Sequence, residues 1–349
     1  MESSTSQDQA RKRLRANIWS RPYAAALILA GGLAVLLLSI AVSICVGAKD
    51  ISLDAVWQAL FRFDPASSQH QIIRELRLPR AAAGALAGAA FAAAGAIMQG
   101  MTRNPIADTG VLGINAGASL ALAVCLAFFP AMVFGRIVLI AFAGAACAAL
   151  LVFGIGSAPR RGMDPVRMTL AGTAISALLL ALSQGISLYN NVSQSLSFWV
   201  AGSLAGVKWS QVDTLAVWVG LGLISSLLIS RSVTVLSLGE DVASGLGQRS
   251  GMVKLGGFMI VLVLAGSSVA AVGPIGFVGL IVPHVARYLV GVDYRWIIPC
   301  SAVLGAVLLV LSDIGARLIR PDFETPLGAV VSMLGVPYFL YLIRRETRD

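Results

Sequence analysis

The sequence predicts an all-α polytopic membrane protein with ten transmembrane helices. Of its 349 residues, 57% are hydrophobic and 12% charged, with a mean hydropathy of +0.84, whereas globular domains carry about 25% charged residues. Nearly uncharged segments of roughly 20 residues recur, each long enough to cross ~30 Å of hydrocarbon. They are uniformly apolar, without the two-residue alternation of barrel strands. The expected spans are 24–46, 81–101, 110–129, 133–156, 166–189, 210–230, 253–272, 275–291, 296–316 and 326–343.

Residues 1–22 form a basic tail with Arg11, Lys12, Arg13, Arg15 and Arg21. A signal peptide has a similar outline, but the apolar run that follows exceeds the roughly 7–15 residues of an h-region, so it is kept as a span. Between the first two spans, residues 47–79 include ISLDAVWQALF, an expected short amphipathic helix on the membrane interface with Trp57 as its anchor. The second span, AAAGALAGAAFAAAGAIMQG, is rich in small residues and carries Gly84 and Gly88 at the GxxxG spacing; Gly113/Gly117 and Gly202/Gly206 repeat it. Such residues let helix backbones approach closely, so this span belongs inside the bundle.

Two segments, TRNPIADTGVLGINAG and AVGPIGFVGLIVPH, place Pro, Asn and Gly at membrane depth. Irregular backbone there is tolerated where it packs in protein or lines a water-filled route. Gly273, Gly276 and Gly279 recur ahead of Pro283, the pattern of a thin face that turns back into the membrane or of plain helix packing. Interruptions in both halves are a feature of inverted-repeat transporters.

Between the sixth and seventh spans lies VLSLGEDVASGLGQRSG. Ser237 followed three residues later by Glu240 fits a capping box, predicting a helix from near Leu238. Glu240 and Asp241 complement its positive N-terminus, and Gly245 and Gly247 supply a left-handed stop. Leu238, Val242, Ala243 and Leu246 fall roughly on one face. A helix this short is not stable alone, so it either folds onto its own bundle or inserts into a partner.

Charge sets the expected orientation. The strongly basic balance, +9 overall, follows the positive-inside bias rather than nucleic-acid binding. Both tails are basic and are placed in the cytoplasm, with 23–345 as one transmembrane domain, residues 232–251 as a cytoplasmic loop, and 346–349 as the second tail. Arg74, Arg77 and Arg80 then fall on the outer side, where few cations are expected, and suggest a docking surface for a soluble partner. The four cysteines lie in or beside apolar spans without metal spacing.

Seven stretches, in order, carry a family resemblance: RLPR, GAIMQGMTRNPIADTGVLGINAG, FWVAGSLAG, LSLGEDVASGLG, GPIGFVGLIVPHVAR, SDIGARL and ETPLGAVVSMLGVPYFLYL. Together they resemble the FecCD-type permeases, the membrane subunits of ABC importers for iron–siderophore complexes, heme and vitamin B12. The resemblance runs from about residue 24 to 345. It implies a type II ABC importer permease architecture in the bacterial cytoplasmic membrane, pairing with a second permease copy around a central path. Ser237, Gly239, Glu240, Asp241, Ala243 and Gly247 fall in or beside the loop that such permeases dock into two copies of an ABC ATPase. Arg77, Arg80 and Arg317 match outer arginines that pair with glutamates of a periplasmic or lipid-anchored binding protein; Arg74 and Arg320 are added on charge alone. Asn104 and Ile106 match a constriction at the cytoplasmic end of the path. A second constriction, built from hydroxyl residues in the B12 permease, is not carried over, because Pro165 and Val166 stand there.

No GxxxxGK[ST] motif occurs, so this chain is expected to hold no ATP or other cofactor; ATP-Mg would sit on the partner ATPase. The expected cargo is a ferric siderophore, with heme and cobalamin as alternatives. A proton- or sodium-driven carrier would need ionisable residues at mid-membrane, yet Asp313 and Glu324 fall near the outer ends and Asp108 and His284 near the inner ends. An intramembrane enzyme is disfavoured by two histidines and no HExxH.

Overall fold

The computed structural model describes residues 21–47, 51–158, 162–163, 165–319 and 325–346. The basic positions Arg11, Lys12, Arg13 and Arg15, together with Arg320 and Glu324, lie outside the described residues. Among the described residues the chain is helical apart from a two-residue pairing of Ser157–Ala158 with Gly162–Met163.

Seven helices are long and apolar enough to cross a membrane. They are α1 (Pro22–Cys45), α3 (Ser68–Thr102), α5 (Phe134–Gly156), α6 (Pro165–Tyr189), α8 (Trp209–Ser237), α10 (Ser250–Val272) and α12 (Tyr294–Ile319). Three shorter apolar helices, α4 (Ile114–Phe128), α11 (Val278–Val290) and α13 (Leu327–Glu346), occupy the other three expected positions. For two of them the reason is local: the broken segments spend residues on irregular backbone, so α4 has 15 residues and α11 has 13, a rise of about 20 Å for α11.

Helix α3 is the axis of the molecule. It packs on α8, α10, α11 and α12 and is mostly buried, while α1 and α6 lie largely exposed at the periphery. Its small residues explain the position. A Cβ on Gly88 would overlap the Gly305 carbonyl of α12, and one on Gly95 would overlap the Gly279 carbonyl of α11. The Gly202/Gly206 pair has another use: both sit in left-handed backbone in the turn before α8, so the spacing there marks a loop and not a helix contact.

The expected interfacial helix is α2 (Leu53–Phe61), started by the Ser52 hydroxyl, which accepts from Ala55 N at 3.3 Å. Val56 and Ala59 face inward, whereas Trp57, Leu60 and Phe61 are exposed. Helix α7 (Ser193–Val200) caps one end of α6, and α9 (Glu240–Gly245) stands between α8 and α10. From Arg80 to Thr102, α3 rises about 33 Å. One of its ends therefore carries the arginines and the other faces α9.

Candidate functional site

The arginine end is built around one carboxylate. Asp313, only 2% exposed on α12, accepts from Arg80 Nε at 3.0 Å and Nη2 at 2.9 Å, and pairs with Arg317 at 3.1 Å. A buried carboxylate is tolerated when paired and hydrogen-bonded in this way. The arginines also reach α1. Arg77 Nη1 donates to the Ile44 and Cys45 carbonyls at 2.5 and 2.9 Å. Arg317 Nη1 donates to the Ser43 and Val46 carbonyls, both at 3.0 Å. These are the last carbonyls of α1, which have no partner within their own helix and carry the negative end of its dipole. Two guanidinium groups thus cap α1 across the bundle.

Arg77, Arg80 and Arg317 come together as one cluster, and they face inward more than a simple charged rim would. The exposed cation beside them is Arg74, 4.7 Å above the Phe63 ring. Sequence reasoning assigned no role here to Asp313. The signal was its position four residues before Arg317, the helical ion-pair spacing.

At the opposite end, α9 differs from its expected form. Helix α8 continues through Ser237, whose hydroxyl donates back to the Thr234 carbonyl at 2.7 Å. It therefore closes α8 and does not cap α9. Gly239, at φ +129, is the N-cap instead, in backbone that a residue with a Cβ rarely adopts. Gly247 is left-handed and ends the helix, while Gly245 remains inside it.

Ala243 is buried against the bundle, while Val242 and Leu246 form an exposed apolar stripe one turn apart along α9, with exposed Leu238 at the end of α8 beside it. Asp241 is exposed beside them. Glu240, freed from a capping box, pairs with Lys254 of α10 and lies 4.0 Å from Arg103. Lys254 is the second residue that sequence reasoning left without a role.

Asn104 and Ile106, the residues expected to form a constriction, follow α3 directly. Asn104 Oδ1 accepts from Ile106 N at 3.0 Å, an Asx turn that fixes the loop. Asn104 and Ile106 are exposed and line a cavity of about 210 Å³ shared with Asp108, Met168, Lys254 and Phe258. Burial pushes the Asp108 carboxyl above the usual range, against the backbone N–H groups of Thr109 and Gly110 that bond it. Nearby, buried Gln99 donates to the Gly279 and Leu280 carbonyls at 3.2 and 3.0 Å, and Arg287 reaches Tyr294 Oη at 2.8 Å. These bonds tie the broken helix α11 to α3 and α12.

Pro165 and Val166 begin α6, and their side chains lie outside the described set. Among the described residues no group of His, Cys, Asp or Glu is arranged to hold a metal.

A family model described as the FecCD transport family matches residues 35–345. The chain is 53% identical over 329 residues to the iron(3+)-hydroxamate import system permease protein FhuB of Bacillus subtilis (strain 168), covering 94% of this chain and 86% of FhuB. It is 41% identical over 324 residues to the ferric enterobactin transport system permease protein FepD of Escherichia coli (strain K12), covering 93% and 96%. Among solved structures it resembles an inward-facing metal-chelate type ABC transporter, with a TM-score of 0.80 and 27% identity over 91% of this chain and 99% of that one.

Proposed function

The chain belongs to the FecCD transport family of ABC importer permeases, and we propose that it carries a ferric siderophore of the hydroxamate class across the bacterial inner membrane. The cargo rests on likeness to FhuB. The mechanism rests on one observation: the two ends of α3 present opposite surfaces, a cluster with more arginines than carboxylates and a short helix with an exposed apolar stripe.

The path is formed with a second permease copy. The ten apolar helices each cross or re-enter the membrane, with both termini in the cytoplasm. The arginine end faces outward. Arg77, Arg80 and Arg317 supply a positive field that orients an acidic binding protein, and exposed Arg74 makes direct contact. Exposed ion pairs contribute ~0–1 kcal/mol each, so their main effects are on encounter and orientation. An empty carrier can then leave.

The α9 end faces the cytoplasm. Leu238, Val242 and Leu246 enter a groove on each of two ATPase subunits, with Gly239, Glu240 and Asp241 at the rim. Closure of the ATPases on ATP moves α9 as a rigid knob, and that motion opens or closes the constriction at Asn104 and Ile106. ATP and Mg stay on the ATPase; this chain holds no cofactor.

Vanadate tests the energy source. Uptake by the assembled importer stops when the ATPase is trapped and is insensitive to a protonophore at constant ATP. Uptake that survives vanadate and collapses with the protonophore would place the chain among ion-driven carriers instead.

A further inference from the structure

Lys254 stands where the α9 contact and the constriction meet. It is on the first turns of α10, its side chain is 8% exposed, and its ammonium pairs with Glu240 of α9. The same side chain lines the cavity that holds Asn104, Ile106 and Asp108. We infer that Lys254 is a positioning residue that links α9 to the constriction by exchanging carboxylates, Glu240 in the arrangement seen here and Asp108 when α9 is drawn away. The inference rests on the reading of α9 as the ATPase contact.

Three observations carry it. The first is that α9 can move cheaply. It has six residues, one buried side chain in Ala243, and a glycine in positive φ on each side. Its further polar tethers are the 4.0 Å approach of Glu240 to Arg103 and, just past its end, Gln248 Nε2, which donates to the Ser232 carbonyl at 2.9 Å.

The second is that the two cations near Glu240 respond differently to its loss. Arg103 is 49% exposed and stays hydrated without a partner. Lys254, with its side chain 8% exposed, lines the cavity together with Met98, Met101 and Phe258, and a buried ammonium left unpaired is costly. It must follow Glu240 or find another acid.

The third is that another acid is present across the cavity. Asp108 is fixed by its own loop, accepting from Gly110 N at 3.4 Å. Burial pushes its carboxyl above the usual range, so a nearby ammonium would favour its charged form. A flexible lysine stem can swing between two acids, whereas a rigid guanidinium fork is less able to. When the pair forms, it pulls loop 103–108 toward α10 and shifts Asn104 and Ile106 with it.

The experiment uses the full chain with its ATPase and binding protein in proteoliposomes loaded with ATP. Ferric hydroxamate uptake and ATP hydrolysis are read together. Lys254→Met and Asp108→Asn each lower cargo moved per ATP by roughly ten-fold, the range of a coupling-network residue, while hydrolysis stays within about two-fold. The exchange Glu240→Lys with Lys254→Glu restores the α9 pair but sets two carboxylates against each other in the cavity. It recovers thermal stability and stays uncoupled.

Full transport by the exchanged variant would show a merely structural ion pair and overturn the inference. Wild-type coupling in Asp108→Asn would overturn it as well, and that variant keeps the test decisive if Lys254→Met does not fold. Failure of the unaltered chain to retain the ATPase would instead remove the reading of α9 itself.

Discussion

The two ends of α3 hold charge in opposite ways. At the arginine end a buried carboxylate joins two guanidinium groups, and two guanidinium groups of the same cluster cap the carbonyls of α1. At the α9 end a half-exposed carboxylate on a six-residue helix is shared between a buried lysine and a solvated arginine. The first arrangement resists motion, because breaking it strands charge in a low-dielectric interior. The second gives way readily. On the proposed function, this asymmetry would supply a firm platform for the carrier and a loose lever for the motor.

The comparison is broken most severely at Asp313. Asp313→Leu leaves Arg80 and Arg317 without their shared carboxylate, and the loss of one buried ion partner costs about 3–5 kcal/mol. Its melting temperature in detergent should fall by far more than that of Glu240→Gln. Equal shifts at the two ends would remove the claimed difference.

The next effect is on assembly. Val242→Asp places a charge in the middle of the exposed stripe. A desolvated carboxylate at the centre of an interface should weaken ATPase binding by ~2–4 kcal/mol, with the permease fold intact. Co-purification of ATPase and permease measures it, and an undiminished yield would count against the stripe as the contact.

A smaller effect is expected at Arg74. Arg74→Glu should slow binding-protein association several-fold at low salt and little at high salt, because rim charges act mostly on encounter. Stopped-flow fluorescence at two ionic strengths separates the cases; a salt-independent change would mean that Arg74 acts through packing. The smallest effect is on Glu240→Gln, which should change stability by less than ~1 kcal/mol, because its carboxylate is half exposed and, on the inference above, Lys254 turns to Asp108 in its absence. A loss comparable to that of Asp313→Leu would show that α9 is held as firmly as α1.

What the sequence revealed and what it hid divide along the same line as local and tertiary physics. Apolar length is local, so the seven long apolar helices were legible, and three shorter apolar helices stand where the other three spans were expected. The small residues of α3 marked it as interior for the same reason, since Gly88 and Gly95 have no room for a side chain. The capping box expected at Ser237 and Glu240 does not form. Continuation of α8 through Ser237 used that hydroxyl, and Lys254 drew Glu240 away. Arg77 and Arg80 were singled out by the outer placement expected of them, and Arg317 by the family resemblance. Their inward bonding depended on Asp313 and on the α1 carbonyls, partners brought close only by the fold.

The central claim is that this chain is a gated path driven by a separate ATPase and supplied by a separate carrier. Reconstitution in liposomes tests it directly, with ferric hydroxamate uptake followed as the permease, ATPase and binding protein are added singly and together. The account predicts concentrative uptake only with all three and ATP. Accumulation against a gradient by the permease alone would contradict it.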